Sequence, residues 1–124
     1  MRNPVRTALL GAMLLAMAGG AAAQVKIGVN ISLTGPAASL GIPERNTITM
    51  LPTEIGGQKV EYIMLDDASD STTAVQNTKK LISENHVDAI IGSSITPNTL
   101  AMLYVIAAGT TPTISLASSA RIIE

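Results

Sequence analysis

Four apolar runs separated by helix-patterned segments constrain this chain most. Residues 25–33 (VKIGVNISL), 59–65 (KVEYIML), 87–92 (VDAIIG) and 111–116 (TPTISL) read as strands, rich in β-branched residues and closed by turn signals. Between the first two, residues 42–51 predict a short helix with Pro43 in its first turn. Glu44 would sit near its positive end, Ile48 and Leu51 on one face, and Pro52 would stop it. Residues 71–86 carry Ala74, Val75, Leu81 and Ile82 on one stripe, opposite Lys79, Lys80 and Glu84. That is an amphipathic helix with Asp70 or Ser71 as N-cap. Residues 96–108 predict a third helix, with Thr96 as N-cap, Pro97 at the first helical position and Gly109 closing it. Met50, Met64 and Met102 lie in apolar runs and are expected in the core. The order β-α-β-α-β-α-β at this spacing predicts an α/β fold, a parallel sheet with flanking helices and right-handed crossovers.

The front of the chain has a different character. Arg2 and Arg6 precede an apolar run over 7–18, and Ala21 and Ala23 set a small-x-small pattern before Gln24. Residues 1–23 are expected to be a cleavable signal peptide, too short in their apolar part to span a bilayer. The segment 24–124 would then reach the periplasm without a stable membrane anchor. Without Arg2 and Arg6, six basic residues stand against nine acidic ones. This mild negative balance, with Tyr62 and Tyr104 as the only aromatics, argues against a nucleic-acid partner. The sequence has no cysteine, which excludes a disulfide framework, thiol catalysis and thiolate metal sites.

Ligands of parallel α/β sheets sit beyond the carboxyl ends of the strands. Those ends are TGPAASLG, DDASD, GSSIT and ASSA, three of them rich in hydroxyls or carboxylates. In GSSIT, Ser93, Ser94 and Thr96 gather at a helix N-terminus, where unpaired amides and the helix dipole favour an anion. Thr96 could serve there as a helix cap, as a ligand donor, or as both. ASSA repeats the pattern, and the carbonyl of Ala117 could accept from an ammonium, so the two loops together suit a small zwitterion. Asp66, Asp67 and Asp70 have the look of capping and loop-solvating residues rather than a metal site. His86, the only histidine, is expected to interact with the last carbonyls of the second helix. It has no nucleophile to serve, and no phosphate-binding or dinucleotide-binding motif occurs. The sequence therefore predicts no catalytic residue, no metal and no cofactor.

In this order and spacing, VKIGVNISLTGPAASLG, LDDASD, VDAIIGSSITPNT and TPTISLASSA resemble the amino-terminal lobe of a known family. It comprises the periplasmic substrate-binding proteins of branched-chain amino-acid ABC transporters, the leucine/isoleucine/valine-binding type among type I periplasmic binding proteins. The resemblance implies two α/β lobes joined by a hinge, closing on a small amino acid or related carboxylate and delivering it to a membrane permease. It implies a head-group contact from the Thr96 hydroxyl, a backbone contact at Ala117 and a second hydroxyl at Ser119, with Ser94 and Ser118 as neighbours. Leu40 stands where leucine-binding members often carry an aromatic, so the implied ligand is a small carboxylate or amino acid and no narrower. The chain stops at Glu124, soon after the fourth strand. Residues 24–124 are therefore expected to be a partial amino-terminal lobe with an uncovered sheet edge. A ligand-sensing receptor domain of the same fold is the alternative.

Overall fold

The computed structural model describes residues 24–123, and the expected signal peptide lies outside the described residues. Strand β1 spans Val25–Ile31, helix α1 Ala38–Ile48, strand β2 Glu54–Ile55 and strand β3 Gln58–Asp66. Helix α2 (Ser71–Ser83), strand β4 (Ala89–Gly92), helix α3 (Thr96–Ala107) and strand β5 (Thr113–Ile114) follow, then a 3-10 turn at Ala120–Ile122. The sheet order is β2-β3-β1-β4-β5. The β1–β3, β1–β4 and β4–β5 pairs are all parallel, the α/β arrangement expected.

Alternation along the strands sorts the core into two layers. Val29 and Ile31 of β1 pack with Ile48 of α1, and Tyr62 and Met64 of β3 join them. On the opposite face, Ile90 meets Ala74 and Leu81 of α2 and Met102 of α3, with Ile63 and Leu65 alongside. Gly28 faces this second layer, where an added Cβ would press on the Leu81 and Val87 side chains. Among the described residues, two helices cover one face of the sheet and only α1 covers the other. On that second face Ile27, Leu51, Ile55, Val60 and Ile91 line an apolar cleft of about 360 Å³ near the strand starts.

Several local expectations need correction. Helix α1 begins at Ala38, four residues earlier than expected, so Pro43 lies in its interior rather than in its first turn. The bond that Pro43 forgoes would have gone to the carbonyl of exposed Ser39, where water can substitute. No side chain caps this helix. It opens instead on backbone bonds from Ala38 to Gly35 and from Leu40 and Gly41 to Ala37, which leave no sequence signature. A glycine pair closes a β2–β3 hairpin, with Gly56 at φ 59° and Gly57 at φ 78°. Left-handed conformation at both positions matches the twist of a tight hairpin. Met50 is 78% exposed because α1 has already ended, whereas Met102 is fully buried. β5 shrinks to two residues because the Ser115 hydroxyl turns back onto the carbonyl of Ala117.

Candidate functional site

The strand register assembles the site. Ile31 of β1 aligns with Asp66 of β3, and Asn30 with Gly92 of β4, so Ser32, Asp67 and Ser93 emerge side by side at the carboxyl end of the sheet. Gly92 has φ 137°, and a Cβ there would collide with the Asn30 carbonyl. Only glycine lets β4 turn away so tightly against its neighbour.

Asp67 is completely buried and collects three donors. The Ser32 hydroxyl donates to Oδ1 at 2.6 Å, the Ser69 amide to Oδ1 at 2.9 Å and the Ser93 hydroxyl to Oδ2 at 2.6 Å. Beneath it, buried Asn30 donates to the Ala74 carbonyl at 2.8 Å and accepts from Asn77 at 3.2 Å. Buried polar groups must be paired, and these are. Asp66 accepts from the Leu33, Thr34 and Ala68 amides and from the Thr34 hydroxyl at 2.6 Å. Burial alone would raise its carboxyl, but the Thr34 hydroxyl and these amides outweigh that and hold it below the usual carboxylate value. Asp70 caps α2 as expected, accepting from the Thr73 amide at 2.7 Å. That amide and the Thr73 hydroxyl hold its carboxyl low. The three aspartates are thus structural acceptors, and no cluster able to hold a metal occurs among the described residues. His86 does not do what the sequence suggested. It is exposed, with φ 53°, in the left-handed turn between α2 and β4.

Next to this interior lies an open cleft of about 470 Å³, lined by Leu40, Glu44, Ser94, Thr96, Ala117 and Ser118 among others. It falls in the size range of small-molecule sites. Four of the five sequence-designated residues, Ser94, Thr96, Ala117 and Ser118, therefore converge. Ser119 is half-buried at the start of the 3-10 turn and is not part of the lining. Thr96 is not the N-cap. Helix α3 begins at Thr96 itself, Ile95 is the cap, and no side chain bonds the end. One turn into the helix, the Thr99 hydroxyl donates to the Ile95 carbonyl at 3.2 Å and accepts from the Ser93 amide at 3.2 Å. The Thr96 hydroxyl therefore has no hydrogen-bond partner among the described residues and borders the cleft.

Two contributors from α1 were missed as a pair. The backbone of Gly41 packs against that of Ser32 so closely that a Cβ would overlap its carbonyl. This approach brings Leu40 and Glu44 to the cleft. Their spacing of four puts them on one helical face, a signal readable only once α1 is known to start at Ala38. Glu44 accepts from the Ser94 hydroxyl at 2.5 Å, and Ser94 in turn accepts from the Ser32 amide at 3.0 Å. The hydroxyl cradle thus has a carboxylate in its wall.

A family model described as periplasmic binding protein matches residues 24–122. The chain belongs to that family. Its solved relatives include ligand-binding receptors and solute-binding proteins of ABC transporters. A solved relative, an extracellular ligand-binding receptor from Rhodopseudomonas palustris HaA2, is 48% identical with a TM-score of 0.79. The match covers 82% of this chain and 28% of that one. A solute-binding protein of an ABC transporter from Rhodopseudomonas palustris BisB5, solved with 3,4-dihydroxybenzoic acid, is 29% identical with a TM-score of 0.75. That match covers 80% of this chain and 29% of the relative. A leucine-binding protein from Thermotoga maritima shares the fold at 24% identity and a TM-score of 0.76, over 81% of this chain and 30% of its own. This periplasmic binding protein chain thus spans less than a third of the length of these solved relatives. Comparison with curated proteins gave no match.

Proposed function

We propose that this chain supplies the amino-terminal wall of a solute-binding site in an ABC uptake system, taking a small amino acid or related carboxylate in the periplasm and passing it to a membrane permease. The observation that carries the reading is the bare amino end of α3. Its first-turn amides have no side-chain cap, and the unpartnered Thr96 hydroxyl stands beside them at the edge of the cleft. An anion there gains from the amides and from the helix dipole. The Ala117 carbonyl and Ser118 complete the rim. Ala117 is already engaged by Ser115 through both its amide and its carbonyl, at 3.1 and 3.0 Å, which holds this backbone in place.

Relatives solved as a leucine-binding protein and with a dihydroxybenzoic acid support a small carboxylate-bearing solute. No helix among the described residues is long and apolar enough to cross a membrane. The test is an amide-resolved NMR titration with small amino acids and carboxylates. Shifts at the amides of Ser94, Ile95, Thr96 and Asn98 and of Leu116–Ser119 are expected, and an absence of shifts in both segments would sink the reading. The same cleft would serve a ligand-sensing receptor domain, a reading favoured by the receptor description of the Rhodopseudomonas palustris HaA2 relative. Crosslinking to a permease in membranes separates the two.

A further inference from the structure

The cleft has two chemically opposite sides. At the α3 side, the Thr96 hydroxyl and the uncapped first-turn amides offer donors. At the α1 side, the hydroxyl proton of Ser94 is committed to Glu44 Oε2, and one Ser94 lone pair is already taken by the Ser32 amide. A serine hydroxyl has one proton to give, so Ser94 has no donor left for a ligand. What remains on this side is an acceptor set: the second lone pair of Ser94 and the carboxylate of Glu44, whose only side-chain hydrogen bond among the described residues is the one from Ser94. Glu44 is half-buried, so its charge is screened less than that of a fully exposed carboxylate.

We infer that Glu44 is a specificity determinant of this site, selecting ligands that carry an amine or other strong donor next to their carboxylate and disfavouring plain carboxylates. The inference rests on the solute-site reading above and narrows its ligand class. A carboxylate alone would meet the donors of α3 but would bring a second negative charge toward Glu44. An α-amino group relieves that repulsion and gives Glu44 a charge-assisted partner. Leu40, one helical turn before Glu44, flanks it with an apolar surface for the substituent.

The test titrates the isotope-labelled protein with matched probes, alanine against propanoate and leucine against 4-methylpentanoate, reading amide shifts at Leu40, Gly41, Ile42, Glu44 and Arg45 and at Thr96 and Asn98. Each amino acid is expected to bind at least about tenfold more tightly than its deaminated partner, a ratio worth ~1.4 kcal/mol. Glu44→Gln keeps an acceptor for Ser94 and should preserve the fold, seen as unchanged peak dispersion. It should bring the ratio to within about twofold, by weakening the amino acids and leaving the carboxylates unchanged or tighter. Thr96→Ala should weaken both members of each pair and leave the ratio intact. Equal binding of the paired probes, or a ratio that survives Glu44→Gln, would overturn the role of Glu44 while leaving the solute site standing. If no probe shifts the amides of Ser94, Ile95, Thr96 and Asn98 or those of Leu116–Ser119, the solute site itself falls and the inference with it.

Discussion

Two groups of hydroxyls stand within a few residues of each other at the carboxyl end of this sheet, and they do opposite work. Ser32, Ser93 and Thr99 are fully or almost fully buried, and each hydroxyl has a protein partner. Thr96 and Ser118 sit on the cleft wall, and neither side chain has a hydrogen-bond partner among the described residues. Residue type does not separate the groups; satisfaction does. A buried hydroxyl without a partner would cost about 1–3 kcal/mol, so the interior group is built to be closed. At the cleft, water occupies open donors until a ligand displaces it.

The largest effect that could break this comparison is at Asp67. Replacing it with Ala strands two buried hydroxyls and one amide, and should cost about 3 kcal/mol or more in urea unfolding. A loss below about 1 kcal/mol would mean that the interior group is not structural. Next, Asn30→Ala removes the bridge from β1 to α2 and leaves the Asn77 amide with one of its two bonds, while the Ala74 carbonyl keeps its bond from the Thr78 hydroxyl. A cost of about 1–3 kcal/mol is expected by the same measurement.

Smaller still is a pH effect at Asp66. Its carboxyl is held below the usual value in the folded chain, so the ionised form favours folding. That contribution is fully present above the unfolded value of about 4 and is lost as pH falls through the lower folded value. Thr34→Val removes the hydroxyl at 2.6 Å, so the Asp66 carboxyl should titrate at higher pH in a carbon-detected NMR titration. The fall in stability from neutral to acid pH should then be shallower. An unchanged Asp66 titration would show that the amides alone set its value.

The smallest stability effect belongs to the cleft. Thr96→Ala should move unfolding by less than about 0.5 kcal/mol, because that hydroxyl bonds nothing else among the described residues, yet it should weaken probe binding at α3. A large stability loss instead would place Thr96 with the interior group and erase the distinction.

How much of this was legible depended on how local the physics was. Helix α2 and its Asp70 cap follow from a stripe and a short-range hydrogen bond, both written within a dozen residues. The start of α1 was hidden because its opening bonds are backbone bonds, with no side chain to announce them. Thr96 looked like a cap because threonine before proline usually is one. Thr99, three residues on, already bonds the Ile95 carbonyl and the Ser93 amide, and the helix starts one residue early.

The sequence by itself determined the alternation of strands and helices, the parallel sheet and the end at which hydroxyls collect. Hydrophobic period and turn chemistry act over a few residues and survive without any long-range contact. Only the tertiary structure decided which hydroxyls are spent and which are free. That outcome depends on pairings across long sequence gaps, Ser32 and Ser93 with Asp67, and Ser94 with Glu44. A hydrogen-bond donor carries no mark in the sequence of the partner that will consume it; the register of β1, β3 and β4 and the close approach of Gly41 to Ser32 supply those partners.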